Sequence, residues 1–88
     1  MKNMLIVKYF TTSWCGPCKM FGPVFDQVMN ETGVPHKKID VDADKDTTAV
    51  YFVSSVPTII FEIGDNIVHR HSGVMSRGQL IDIIKRFS

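Results

Sequence analysis

Strong charge, long apolar runs and all but two cysteines are missing from this sequence, and each absence removes a class of function. Ten Lys and Arg against nine Asp and Glu leave a formal charge of +1, too weak a field to draw the chain to nucleic acid or to an anionic membrane. Any partner must therefore be recognised by local surface. No stretch approaches the ~20 apolar residues of a membrane span. The apolar start, Met4 to Val7, is broken by Lys8 and followed by no small-residue cleavage site, so it reads as a strand and not as a signal peptide. The expected compartment is the cytoplasm, where the Asn30-Glu31-Thr32 sequon carries no weight. There are no repeats, linkers or low-complexity tracts. The 88 residues leave room for one domain, residues 1–88, which buries about 60 to 65 % of its unfolded surface. A monomer is expected.

The scarcity of cysteine is the most informative of these. Cys15 and Cys18 are the only two, in Trp14-Cys15-Gly16-Pro17-Cys18-Lys19, between a run of strand formers and the first amphipathic helix. Cysteines three positions apart on a first helical turn bring their Cα atoms within the roughly 4.4 to 6.8 Å that a disulfide tolerates. So small a loop removes little entropy from the unfolded chain, on the order of 2 kcal/mol, which makes the bridge a poor staple and a better reversible redox pair. Gly16 permits close backbone approach, and Pro17 suits an opening helical turn, where its missing N–H is no loss. Cys15 then falls near the N-cap. Free N–H groups and the positive end of the helix dipole favour its thiolate, the only nucleophilic form.

The competing readings are a zinc site and inert buried thiols. Zinc needs two more ligands from His36, His69 and His71; the H-x-H spacing of the last two is too tight for a common finger, and Pro17 is unusual between zinc-binding cysteines. Asp40 to Asp46 resembles a calcium loop, but its sixth position is Lys45 in place of Gly and its twelfth is Tyr51 in place of Glu. No metal is expected.

Around this centre, the apolar run Met4 to Phe10 predicts a central strand with its C-terminal end at Cys15. Leu5, Val7 and Tyr9 should share one face. From Pro17, residues Met20, Phe21, Val24, Phe25, Val28 and Met29 follow a 3.6-residue period to about Thr32, and Gly33 stops the helix. Pro23 sits inside it and predicts a kink. A charged strand, roughly His36 to Val41, suits a sheet edge. Asp44 or Asp46 caps a short helix to about Val53, with Ala49, Val50 and Val53 buried. Pro57 opens a strand to Ile63, Gly64-Asp65-Asn66 turns it, and Ile67 to Ser72 returns antiparallel. The last helix, Ser76 to Phe87, has Gln79 as capping-box partner of Ser76 and an apolar face of Leu80, Ile81, Ile84 and Phe87. The order βαβαββα predicts an α/β fold with a four-stranded mixed sheet, order 2-1-3-4, and helices on both faces.

Trp14 to Lys19 resembles the active-site motif of the thioredoxin family, and the resemblance extends to Pro23, Val56-Pro57-Thr58 and Ser72-Gly73-Val74. It implies a minimal thioredoxin fold and a thiol-disulfide oxidoreductase that reduces protein disulfides through a reversible Cys15–Cys18 dithiol, with Cys15 the exposed attacking group and Cys18 the shielded resolving thiol. No cofactor beyond that redox disulfide is expected. It also implies a cis Pro57 beside the dithiol, backbone recognition of substrate by Val56, and an apolar rim of Trp14, Gly16, Pro17, Gly73 and Val74. Disulfide-containing proteins would be the substrates and a thioredoxin reductase the electron donor. Two departures stand out. The chain starts almost directly at the central strand, as glutaredoxins do, and Tyr9 stands where thioredoxins carry a buried Asp that helps the second cysteine lose its proton. A phenol is a poor base near neutral pH. Lys38, which matches the lysine paired with that Asp, thereby lacks its usual partner.

A glutaredoxin-like or ribonucleotide-reductase-donor redoxin is the enzyme alternative; Gly16-Pro17 and the absence of a Gly-Gly-x-Asp glutathione motif at Gly73-Val74-Met75-Ser76 weigh against it. The alternative of another class is a non-redox binding subunit of a larger assembly, such as a polymerase.

Overall fold

Along β1 (Leu5–Thr11), alternation of side chains decides where the other elements pack: Leu5, Val7 and Tyr9 enter one apolar cluster and Phe10 the other. The computed structural model describes residues 4–88. After β1 come α1 (Gly16–Thr32), β2 (His36–Asp40), α2 (Lys45–Val50), β3 (Thr58–Ile63), β4 (Asn66–Ser72) and α3 (Arg77–Phe87). The sheet order is β2-β1-β3-β4. β1 runs parallel to β2 and antiparallel to β3, and β3 antiparallel to β4. This is the expected βαβαββα mixed sheet, with β2 as a charged edge that buries only Ile39.

α1 and α3 cover one face of the sheet. Phe21, Phe25, Val28 and Met29 from α1 and Leu80, Ile83 and Ile84 from α3 meet Leu5, Val7, Tyr9, Ile59 and Phe61. Helix α1 runs unbroken through Pro23 and stops at Gly33, whose φ of 67° lets its N–H reach the Met29 carbonyl. Ser76 caps α3 in a complete capping box with Gln79, as its sequence requires. The apolar face of α3 is shifted from expectation: Ile83 is buried, while Ile81 and Phe87 are only partly covered.

The other face is thinner. Phe10, Ile39 and Ile60 are buried there, with Val41, Tyr51 and Val53 packed against them. Asp44 caps α2 through the Thr47 N–H, but the helix ends at Val50, and Ala49 and Val50 are exposed, not buried. The reason is Tyr51. Its ring packs at a tilt against Phe10, centroids 5.6 Å apart, and its hydroxyl donates to the Glu62 carboxylate at 2.9 Å, so the capping tyrosine anchors α2 in place of the small apolar residues before it. Lys8 completes the group, 2.8 Å from Glu62 and hydrogen-bonded to the Tyr51 hydroxyl. An ion pair that is mostly shielded needs such extra hydrogen bonds to offset its desolvation.

β4 contains a bulge. Phe61 faces His69 and Glu62 faces Ile67, which leaves Val68 as the extra residue. An extra residue rephases a strand by one side chain. Val68 packs toward the α1–α3 core, and His69 and His71 border a cavity against α3.

Candidate active site

The end of β1 delivers the chain to the N-terminus of α1, and the four residues between shape the cysteine loop. Thr12 is buried; its hydroxyl accepts the Trp14 N–H at 3.1 Å, and its carbonyl accepts the Cys15 N–H at 3.4 Å. Cys15 is the N-cap of α1, with extended backbone, and Pro17 occupies the first turn. The Cys18 N–H donates to Cys15 Sγ at 3.1 Å. This is the hydrogen bond a capping side chain makes. In the present disulfide that sulfur occupies the place of the Cys15 thiolate in the reduced protein. The Cα atoms of Cys15 and Cys18 are 5.2 Å apart and the sulfurs are bonded.

Cys15 is not the exposed member of the pair in this state. It is 5 % exposed and Cys18 4 %, because each sulfur of a closed disulfide screens the other. The asymmetry lies in what surrounds them: Cys15 sits at the helix N-terminus, whereas Cys18 begins the buried stripe of α1 that continues through Phe21 and Phe25.

Two segments flank the cysteine loop, Val56 sharing a hollow with Trp14 and Val74 one with Gly16 and Pro17. The Val56–Pro57 peptide is cis, Pro57 is fully buried, and its carbonyl accepts the Gly73 N–H at 2.8 Å. Gly73, at φ 93°, occupies a region that favours glycine. The expected rim residues other than Gly73 divide between two hollows. Gly16, Pro17 and Val74 line a groove of about 630 Å³ together with Met20, Phe21, Val24 and Met75. Trp14 and Val56 line a smaller one of about 290 Å³ on the α2 side. The Trp14 ring is 68 % exposed, so it is not core; its indole N–H is held by Asp42 at 2.6 Å.

Tyr9 lies below, as its place on β1 predicts. It is 1 % exposed, its ring meets Phe21 edge-on at 5.5 Å, and its hydroxyl donates to the Cys18 carbonyl at 3.2 Å. The phenol proton is thus committed to backbone, not to a sulfur. Lys38 has found a partner after all. Its ammonium pairs with Asp26 of α1 at 2.5 Å, both side chains largely exposed, an arrangement that contributes little to stability. The loop threonine that braces the site through its hydroxyl is Thr12, whereas Thr11 contributes its carbonyl to the Val41 N–H.

The sequence reading missed Asp42, Thr12 and Met20. Only Met20 left a signal, as an apolar residue one turn beyond the dithiol that proves 80 % exposed. Asp42 sits in the acidic run that imitates a calcium loop. That loop is in fact closed by the Asp40 carboxylate, which accepts the Asp42 and Ala43 N–H groups at 2.9 and 3.3 Å. Among the described residues no three His, Cys, Asp or Glu side chains gather as metal ligands. No helix among them is long and apolar enough to cross a membrane.

Comparison with known proteins agrees with this geometry. The family model described as Thioredoxin matches residues 1–86. The chain is 35 % identical to the thioredoxin of Mycoplasma pneumoniae over 86 residues, 96 % of this chain and 83 % of that one. It is 32 % identical to the thioredoxin of Bacillus subtilis over 84 residues, 93 % of this chain and 81 % of that one. Of solved structures, the X-ray structure of Fasciola hepatica thioredoxin superposes with a TM-score of 0.91 at 34 % identity, covering 99 % of this chain and 84 % of that one.

Proposed function

The chain belongs to the thioredoxin family and is a thiol-disulfide oxidoreductase, and on that premise we propose that it reduces protein disulfides with Cys15 attacking and Cys18 resolving. The Cys15 thiolate attacks one sulfur of the substrate disulfide. A mixed disulfide forms, and the other substrate sulfur leaves as a thiolate that takes up a proton. Cys18, once deprotonated, attacks Cys15 Sγ and releases the second substrate sulfur. Two electrons have passed from the dithiol to the substrate, and Cys15–Cys18 is again a disulfide. These steps draw on no metal or organic cofactor.

The observation that carries the assignment is the 3.1 Å hydrogen bond from the Cys18 N–H to Cys15 Sγ, since a backbone donor at a helix N-terminus stabilises a thiolate there and nowhere else in the pair. Val56 receives the substrate segment through its backbone, Trp14, Gly16, Pro17, Gly73 and Val74 as apolar surface, and the buried Pro57 supports them by accepting the Gly73 N–H. Two electrons return from a thioredoxin reductase, the general pattern of the family. One domain does this work as a monomer in the cytoplasm.

Brief iodoacetamide treatment of the reduced protein tests the roles: label must appear first on Cys15, and label first on Cys18 reverses the assignment. Turnover of a protein disulfide with a thioredoxin reductase and NADPH tests the donor. Efficient turnover with glutathione and glutathione reductase alone moves the protein to the glutaredoxin pattern.

A further inference from the structure

The Val74 side chain is half exposed in the groove beside Gly16 and Pro17, between a glycine at φ 93° and the buried Met75. A Cβ built at Gly73 meets no atom within 4 Å, so Gly73 is not wedged in place by packing. Gly73 is tied to the Pro57 carbonyl, but among the described residues the Val74 carbonyl has no backbone partner. Its one partner is the ring of His71, whose Nε2 lies 3.0 Å from the Val74 oxygen. A carbonyl only accepts, so Nε2 carries the proton.

We propose that His71 is a positioning residue of the substrate rim: its Nε2–H holds the Val74 carbonyl and so fixes the Gly73–Val74 segment against which a protein disulfide is laid. This rests on the reading that Gly73 and Val74 belong to the rim. The bulge at Val68 sets the phase that carries His71 to the α3 side of β4. There the ring borders a cavity of about 270 Å³ lined also by His69, Met75, Gln79, Asp82, Ile83 and Arg86. The hydrogen bond is therefore the side-chain tie that holds the Val74 carbonyl back on β4, and its loss loosens Val74 between the anchored Gly73 and Met75 without disturbing the dithiol. Cys15 keeps its own hydrogen bond on α1, so reactivity toward a small disulfide is independent of His71.

Steady-state reduction of insulin and of L-cystine, both driven by dithiothreitol so that no reductase takes part, separates these effects. His71→Ala should raise KM for insulin about 3- to 10-fold, the range one neutral hydrogen bond commands, with kcat and cystine turnover unchanged. His71→Gln, which restores an N–H donor at similar reach, should bring KM back to within about twofold of the parent. Unchanged insulin KM in His71→Ala overturns the inference, as does a His71→Gln variant no better than alanine, or a parallel fall with insulin and cystine. Val74→Ser separates the inference from its premise. If it raises insulin KM while His71→Ala does not, only the inference fails; if it leaves KM unchanged, the rim reading fails and takes the inference with it.

Discussion

Replacing Tyr9 by Phe removes one buried donor and leaves the aromatic packing intact. The ring meets Phe21 at 5.5 Å and Phe25 at 4.8 Å, contacts a phenyl group keeps. What is lost is the hydrogen bond to the Cys18 carbonyl, at 3.2 Å on the long side of the roughly 2.7 to 2.8 Å usual for O–H···O. Its net worth is about 0.5 to 1 kcal/mol, and Tm should fall by about 2 to 8 °C. Because the phenol proton faces a carbonyl, Tyr9→Phe should leave the pH profile of mixed-disulfide resolution unmoved. The proton of Cys18 must then pass to water or to the departing substrate thiolate, and resolution should slow steadily as pH falls. Tyr9→Asp places a carboxylate where it can take that proton, and it should flatten the profile. It also forfeits a buried aromatic, at about 3 to 5 kcal/mol, so the rate is best measured in the cold, between about pH 6 and 9 to bracket ordinary thiols. Two results refute the reasoning. If Tyr9→Phe alone slows resolution severalfold at neutral pH, the hydroxyl takes part in proton transfer; if the parent profile is flat and Tyr9→Asp does not change it, a missing carboxylate is not limiting.

Burial by itself pulls the Lys8 ammonium down, but the hydrogen bonds and charges of Glu62 and Tyr51 together outweigh it, and its pKa is raised. The pair's contribution is thus complete below the ordinary lysine value of about 10.4 and is lost as pH rises through the higher folded value. Chemical denaturation above that pH should show a steeper loss for the parent than for Lys8→Met/Glu62→Leu, while Lys8→Met alone costs about 2 to 3 kcal/mol near neutrality by stranding Glu62, less than a fully buried pair. Asp44 is held below the usual carboxylate range by hydrogen bonds from Thr47, so its support of α2 is present above about pH 3.9 and lost as pH falls through the lower folded value; in Asp44→Ala, the protection factor of the Thr47 amide, its exchange rate relative to the intrinsic rate at each pH, should be low and independent of pH. Trp14 is the only tryptophan, and Asp42→Ala should lower its fluorescence anisotropy by freeing the indole, an effect that its absence in the variant would disprove.

What the sequence made legible was local or periodic. The cysteine loop, the Ser76–Gln79 capping box and the stop at Gly33 each lie within a few consecutive residues, and the buried stripes of β1 and α1 repeat often enough to fix their phase. Six residues of α2 do not. Ala49 and Val50 looked like its apolar face, yet Tyr51, bonded to Lys8 and Glu62 across the sheet, decides how the helix sits. The polar pairings around the site left no trace of this kind. Trp14 and Asp42 are 28 positions apart, and Lys38 meets Asp26 only because β2 lies beside β1 with α1 across it. His71 and Val74 are three apart, but a bulge that no motif announces selects the face from which they meet.

These pairings also bear on which thiol is harder to ionise. In thioredoxins as the motif implies them, a carboxylate and a lysine lie under the second cysteine. Here the lysine has gone to the surface with Asp26, the mostly shielded pair Lys8–Glu62 lies on the opposite face of the sheet, and the floor beneath the dithiol is Tyr9, Phe21 and Phe25. An apolar floor disfavours a thiolate at Cys18, while the helix N-terminus favours one at Cys15. Under the proposed roles, the helix N-terminus suits Cys15 to attack and the apolar surroundings leave Cys18 to resolve. On those roles resolution is the pH-sensitive step, so in mildly acidic solution the mixed disulfide on Cys15 should accumulate, and mass spectrometry of acid-quenched reactions should find more of it in the parent than in Tyr9→Asp.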